Sequence, residues 1–305
     1  ARNYLSIQPS AAIPVAQRLR MTLDTESRVA LDDVFRSSHS ASEKKIEAIP
    51  DFFLKEVEDK LRSQTTQETT QEDREKLEMS IRHEVYADIC KSKVDSQVFL
   101  RFVQRNLDGP EDLFHFRRAF AGQLASNSLL QYIFSVAERT PPRFVLLLCR
   151  ALVLSPDFRV SYSNQGFIEG HAIPFRMTPN IETLIGKPYL DGRFIRSIAM
   201  VAGAIREHRE EFDPILRLLM RDDILAWYSK SLAKTDSKTQ ELERQLIERV
   251  SKNVSLLHAR CSECSPTSTK ASKEGAIDSK IRELYEAATN TEKLSMMPTN
   301  YHPWL

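Results

Sequence analysis

Eight glycines in 305 residues are few. A glycine-rich phosphate loop or a series of tight β-turns needs backbone positions that glycine mainly supplies, so the composition turns away from both and towards helix. Cysteine is sparse as well. Cys90, Cys149, Cys261 and Cys264 are too few to frame a chain of this size with disulfides, which points to a reducing compartment, cytosol or nucleus. No long apolar run is present: the stretch from Phe144 to Leu154 is interrupted by Arg150 and falls far short of the roughly 20 residues that a spanning helix needs. Nor is there an excess of one charge. Lys plus Arg (43) and Asp plus Glu (42) leave +1, which removes the bulk electrostatic attraction to nucleic-acid phosphates. The chain opens Ala1-Arg2-Asn3 with neither an initiator Met nor a signal-peptide pattern, so it reads as a piece of something longer.

What is present is ordinary globular usage, 41% hydrophobic and 28% charged, in a chain long enough for one large domain or two small ones. Residues 1 to 23, with Pro9 and Pro14, read as strand and linker. Ile46, Ile49, Phe52, Phe53, Leu54 and Val57 recur at near-helical spacing around Pro50, which should divide them between two helices. Residues 62 to 76 contain no apolar side chain and read as an exposed loop in preference to a solvated helix start. Leu77, Ile81, Val85 and Ile89, then Val98, Phe99, Phe102 and Val103, carry the three-and-four spacing of buried helical stripes. Gly109-Pro110 closes that unit, and Asp112 to Ala137 predicts a core helix. Phe144 to Leu154 suits two short buried strands with a tight connection. After an irregular stretch over 155 to 180, helices are predicted from near Asn180, from Gly192 to His208, from an Asp213-Pro214 entry to Leu232, from Thr239 to His258 and over Ile277 to Ala288. The Ser/Thr/Lys-rich residues 262 to 273 read as a linker.

Three local sequences, in this order, resemble the carboxyl-terminal lobe of the phosphatidylinositol-3-kinase-related kinases. Ala137-Glu138-Arg139-Thr140-Pro141-Pro142-Arg143 stands where that family has its catalytic loop, G-D-R-H-x-x-N. Ser155-Pro156-Asp157-Phe158-Arg159 stands where its metal-binding D-F-G would be. Ile173-Pro174-Phe175-Arg176-Met177-Thr178 looks like its activation-loop exit, and Lys280 to Leu305 looks like its FATC tail. Within the family the detail resembles the TRRAP-type pseudokinases, through Arg139-Thr140-Pro141, Pro174 to Asn180 and the stretch Leu219 to Trp227. The resemblance covers roughly residues 110 to 228 and 277 to 305, with 37 to 109 matching only loosely. It implies a mainly α fold with a small β element. Residues 1–36 are then the hinge end of an amino-terminal lobe, 37–260 a kinase-like carboxyl-terminal lobe, 261–276 a linker and 277–305 the FATC tail.

The same resemblance implies lost chemistry. Phosphoryl transfer needs a positioned base, metal ligands and phosphate donors. By position, Glu138 replaces the loop aspartate, Thr140 the histidine and Arg143 the metal-binding asparagine. A guanidinium about 4 Å from a divalent cation, at an effective dielectric near 20, is repelled by roughly 4 kcal/mol per unit charge of the metal. Asp157 alone is then a structural residue. No catalytic residue, metal or cofactor is expected. The implied role is a nuclear scaffold within SAGA-type and NuA-four/TIP-type histone acetyltransferase coactivators, partnered by their subunits and by transcription activators, without direct nucleic-acid or membrane contact. A divergent active kinase using Glu138 and Asp157 is one alternative; a helical adaptor unrelated to kinases is another.

Other residue groups have a plainer reading. Cys261, Cys264 and His258 offer three zinc ligands where a structural site wants four. The Glu207 to Glu211 cluster fits a solvated face. Arg105, Arg117 and Arg118 suit helix-surface salt bridges better than an acidic partner. Tyr301 and Trp304 should dock on the kinase-like lobe in preference to a membrane. In the tail, Ile281, Leu284, Tyr285, Leu294, Met296, Met297 and Trp304 are expected to be largely buried.

Overall fold

The computed structural model describes residues 12–16, 19–22, 28–39, 48–64, 70–154, 158–232, 239–265 and 274–305. Strands β1 (Ala12–Ala16) and β2 (Leu19–Thr22) form an antiparallel pair with Ile13 opposite Met21, and the register shifts between Pro14 and Ala16. Proline has no N–H for the ladder, and a shift beside it is a common accommodation. β3 (Arg28–Ala30) leads directly into α1 (Leu31–His39).

The next two helices pack side by side, α2 (Ile49–Gln64) and α3 (Gln71–Ser92). Pro50 occupies the first turn of α2, where its missing N–H costs no hydrogen bond. Residues 42–47, where a preceding helix was expected, lie outside the described residues. The apolar-free stretch 62 to 76 is also only partly a loop, since α2 runs to Gln64 and residues 71 to 76 are the solvated first turns of α3. Thr70 caps that helix by accepting a hydrogen bond from the Asp73 N–H. The stripe behind the cap buries Ile81, Val85 and Ile89.

α4 (Val98–Arg105) and the long α5 (Pro110–Ile133) follow, with Pro110 in the first turn of α5. Phe116, Phe120, Leu124, Leu129 and Ile133 make α5 the core helix. β4 (Val145–Leu147) and β5 (Leu152–Leu154) pair antiparallel through a connection that places Ala151 at φ 50°. β3 completes a three-stranded sheet in the order β3-β4-β5. At three residues, β3 is too short for periodicity to reveal.

α6 (Pro179–Ile185) begins where expected. α7 (Lys187–Tyr189) then passes through a π turn at Leu190–Phe194 into α8 (Ile195–Glu207). The single helix expected from Asp213 to Leu232 is two: α9 (Arg209–Asp223) and α10 (Leu225–Leu232), separated at Ile224. Pro214 is inside α9, not at its entry. Only Met220 of α9 is fully buried, so the carbonyl that loses its intrahelical partner to Pro214 is within reach of water.

α11 (Thr239–Glu263), α12 (Glu274–Thr289) and α13 (Thr291–Ser295) complete the chain, and both α11 and α12 extend into the expected linker. α12 packs on α8, α13 on α3, and a final 3-10 turn (Thr299–Tyr301) leads to Leu305, which is buried. Ile281, Leu284, Leu294 and Trp304 are buried as expected, with Tyr285 and Met297 partly so. Met296 is the exception at 44% exposed.

Candidate functional site

The loop from Val136 to Arg143 leaves the end of α5 under tight backbone constraint. Ser135 and Glu138 both adopt positive φ, 46° and 54°, a region that costs a residue with a β-carbon energy unless its surroundings enforce it. Here they do. The Ala137 N–H donates to the Arg159 carbonyl (2.8 Å), and the Ser161 N–H to the Ser135 carbonyl (3.0 Å). The turn so produced points Glu138 back at Arg143: Glu138 Oε2 lies 2.8 Å from Arg143 Nη2, and Arg159 Nη1 is 3.7 Å from the other carboxylate oxygen.

Glu138, expected in the place of the loop base, is thus engaged by the guanidinium of Arg143, expected in the place of the metal-ligating asparagine. The cavity lined by Glu138, Arg139, Thr140, Arg143, Phe144 and Arg176 measures about 10 Å³, room for roughly one water. Thr140 contributes its main chain, its carbonyl accepting from the Arg143 N–H (3.0 Å). Asp157 lies outside the described residues.

Arg139, the one loop residue that matches the kinase pattern outright, is buried and donates through Nη1 to the Ile173 carbonyl (2.7 Å). The contact is answered from the other strand of chain: Arg176 Nη1 donates to the Arg139 carbonyl (3.0 Å). Arg176 is 1% exposed, and both of its terminal nitrogens donate to main chain, while its buried Nε finds no partner among the described residues. Nη1 also donates to the Tyr301 carbonyl (2.6 Å), and Nη2 donates to the main-chain oxygens of His302 and Leu305 (both 3.1 Å). Its guanidinium stacks 4.6 Å from the Tyr301 ring, and the main-chain N–H of Arg176 donates to Gln131 Oε1 of α5 (2.9 Å). Burial pulls its pKa down to about 10, so it keeps its charge at neutral pH.

The tail is also seated on α2 and α3. Trp304 is 1% exposed, its ring 5.7 Å from Phe53. Arg82 Nε donates to the Ser295 carbonyl (3.2 Å), and the Tyr86 hydroxyl to the Pro303 carbonyl (3.4 Å). Sequence reasoning anticipated the docking but not its receptor. One signal was available: an arginine inside the apolar run Ile173 to Met177 must be hydrogen-bonded if it is buried.

The remaining candidates separate. Cys261 Sγ donates to the Ala202 carbonyl (3.2 Å) while His258 Nε2 is 3.1 Å from Asp213 Oδ1, so these side chains engage different partners. Burial raises the Cys261 and Cys264 thiols to about 11 and about 12, above the usual thiol range. Among the described residues no group of three or more His, Cys, Asp or Glu side chains could hold a metal ion. Glu207, Glu210 and Glu211 are exposed around the α8–α9 junction. Arg105, Arg117 and Arg118 correct an expectation, for none makes an ion pair among the described residues. The helix positions three and four away from each hold no acid within the helix.

The model of the family described as phosphatidylinositol 3- and 4-kinase matches residues 1–229. The SAGA complex/NuA4 acetyltransferase complex subunit Tra1 of Schizosaccharomyces pombe is 25% identical, over 100% of this chain and 8% of that protein. The transformation/transcription domain-associated protein of Homo sapiens is 25% identical, over 73% of this chain and 6% of its own length. Among solved structures, the FAT and kinase domain of CtTel1 superposes with a TM-score of 0.66 at 15% identity, covering 99% of this chain and 19% of that one. The chain therefore spans less than a tenth of the length of these curated relatives. It belongs to the phosphatidylinositol 3- and 4-kinase family, and within it to the carboxyl-terminal part of the TRRAP-type members.

Proposed function

We propose that this chain is the kinase-like lobe and tail of a scaffold subunit, and that it transfers no phosphate. The observation that carries the reading is the 2.8 Å ion pair between Glu138 and Arg143. It engages the only loop carboxylate with the side chain that stands at the metal-ligand position, and leaves a fixed cation where Mg²⁺ would be needed to neutralise developing charge. Glu138, Arg139, Thr140, Arg143 and Asp157 are on this view degenerate positions, and no metal or nucleotide is required. The division into 1–36, 37–260, 261–276 and 277–305 is proposed with it.

Relatives named as subunits of SAGA and NuA4 acetyltransferase complexes support a place in a nuclear histone acetyltransferase coactivator. Other subunits of such complexes, and activators engaged by the whole protein, are the proposed partners. The test is affinity purification of the full-length protein, identification of its stoichiometric partners and an acetyltransferase assay on nucleosomes. Co-purifying acetyltransferase activity is the expected result; a solitary protein that phosphorylates a substrate would overturn the reading. The second reading, an active kinase of altered geometry, draws on the match to a kinase family model and requires Mg-dependent nucleotide binding at millimolar ATP.

A further inference from the structure

In an active kinase the segment between the metal-binding motif and the exit motif is commonly ordered by a phosphate or by contacts made through the metal. The corresponding residues here, Phe158 to Met177, make a connected set of contacts with their own chain. The backbone forms a small hairpin. Val160 bridges to Val136 and Tyr162 to Ile168. The Ser163 N–H donates to Phe167 (2.8 Å), and that of Gly166 to Ser163 (3.0 Å). Two hydroxyls of the segment are already engaged: Tyr162 donates to Asp223 (3.0 Å), and Ser163 Oγ accepts from the Gln165 and Phe167 N–H groups (both 3.3 Å).

One row of α11 side chains then grips this hairpin. Asn253, 1% exposed, uses both ends of its amide, Nδ2 donating to the Gly166 carbonyl (3.0 Å) and Oδ1 accepting from the Ile168 N–H (3.1 Å). One turn earlier, Arg249 Nε donates to the Gln165 carbonyl (2.7 Å), its guanidinium 3.9 Å from the Trp227 ring and 5.4 Å from that of Phe167. Two turns later, Arg260 Nη1 donates to the Tyr132 and Ile133 carbonyls (3.1 and 3.0 Å) and to Ser135 Oγ (2.7 Å). It thereby satisfies carbonyls at the end of α5 where the loop departs. The turn is shaped for this grip: Gly166 sits at φ 79°, and an added β-carbon would lie 3.4 Å from both Arg249 and Trp227.

We infer that α11 is a built-in brace holding Phe158 to Met177 in a single conformation, with Asn253 as the positioning residue and no phosphate or metal ion needed. The inference is independent of whether the loop retains chemistry, because it concerns only what orders the segment.

Hydrogen exchange followed by mass spectrometry on the full-length protein tests it. Amides from residue 161 to 169 should be protected, and equally so after phosphatase treatment and in EDTA. Asn253→Ala should accelerate exchange there by about tenfold or more while peptides from α5 and from the tail hold their protection. Asn253→Asp keeps the acceptor for Ile168 but loses the donor to Gly166, so its effect should be smaller and centred on the turn. If Asn253→Ala fails to fold, Arg249→Ala is the deciding variant, with a several-fold local acceleration expected. Rapid exchange of the segment in the unaltered protein, protection lost with phosphatase or EDTA, or unchanged local exchange in a folded variant would each overturn the brace.

Discussion

At the scale of single residues, Arg176 and Glu138 show how differently two charged groups in one site contribute. Arg176 is fully enclosed and donates to four main-chain oxygens. Each acceptor left buried without a donor costs about 1–3 kcal/mol. Arg176→Met should therefore cost several kcal/mol of stability in chemical denaturation and release the tail to protease. Glu138→Ala removes a half-exposed ion pair and should change stability by no more than about 1 kcal/mol. A second expectation concerns protons. Burial, then nearby Arg176, holds His302 below its ordinary value of 6.5; burial, then Arg139, does the same to His171. The native state keeps both rings neutral while the unfolded chain protonates them. Their stabilising contribution is therefore complete above about pH 6.5 and is lost as pH falls from there through the depressed values. The decline is at most about 1.4 kcal/mol per pH unit for each ring. His302→Gln should flatten that part of the stability profile measured between pH 7.5 and 5.5.

At the scale of elements, the tail and its seat form the unit with the clearest energetic signature. Trp304 is enclosed against Phe53, and truncating a buried Trp costs about 3–5 kcal/mol. Trp304→Ala should lower the unfolding midpoint and expose the final residues to carboxypeptidase, whereas Met296→Ala, at a half-exposed position, should do neither. An equal effect of the two substitutions would contradict the burial pattern. Periodicity made most helices legible because each has its own apolar stripe, and α5 and α3 are the clearest examples. It could not show the π turn at Leu190–Phe194, the division at Ile224 or the strand β3, since none has a repeat of its own. Pro214 misled: a proline reads as a helix entry, yet this one is inside α9, where the carbonyl that loses its N–H partner lies on an exposed face.

At the scale of the whole molecule, the order of three short motifs indicated the lobe, although residues 37 to 109 matched the family only loosely. Those residues nevertheless supply α2 and α3, on which the tail rests. Their stripe was visible in sequence, but its partner was not, because Arg82 meets Ser295 across 213 positions of chain. The same separation concealed the roles of Asn253 and Arg260. The match of residues 1–229 to the phosphatidylinositol 3- and 4-kinase family model sets aside a chain unrelated to kinases. On the proposed reading the loop substitutions gain a physical meaning, since Arg143 is paired with the one carboxylate of the loop.

The most direct test is phosphotransfer from Mg-ATP by the purified full-length protein, alongside its Asp157→Ala and Arg143→Asn variants. No incorporation above background by the unaltered protein is the expected result. Metal-dependent phosphotransfer by the unaltered protein that is abolished by Asp157→Ala would contradict the account.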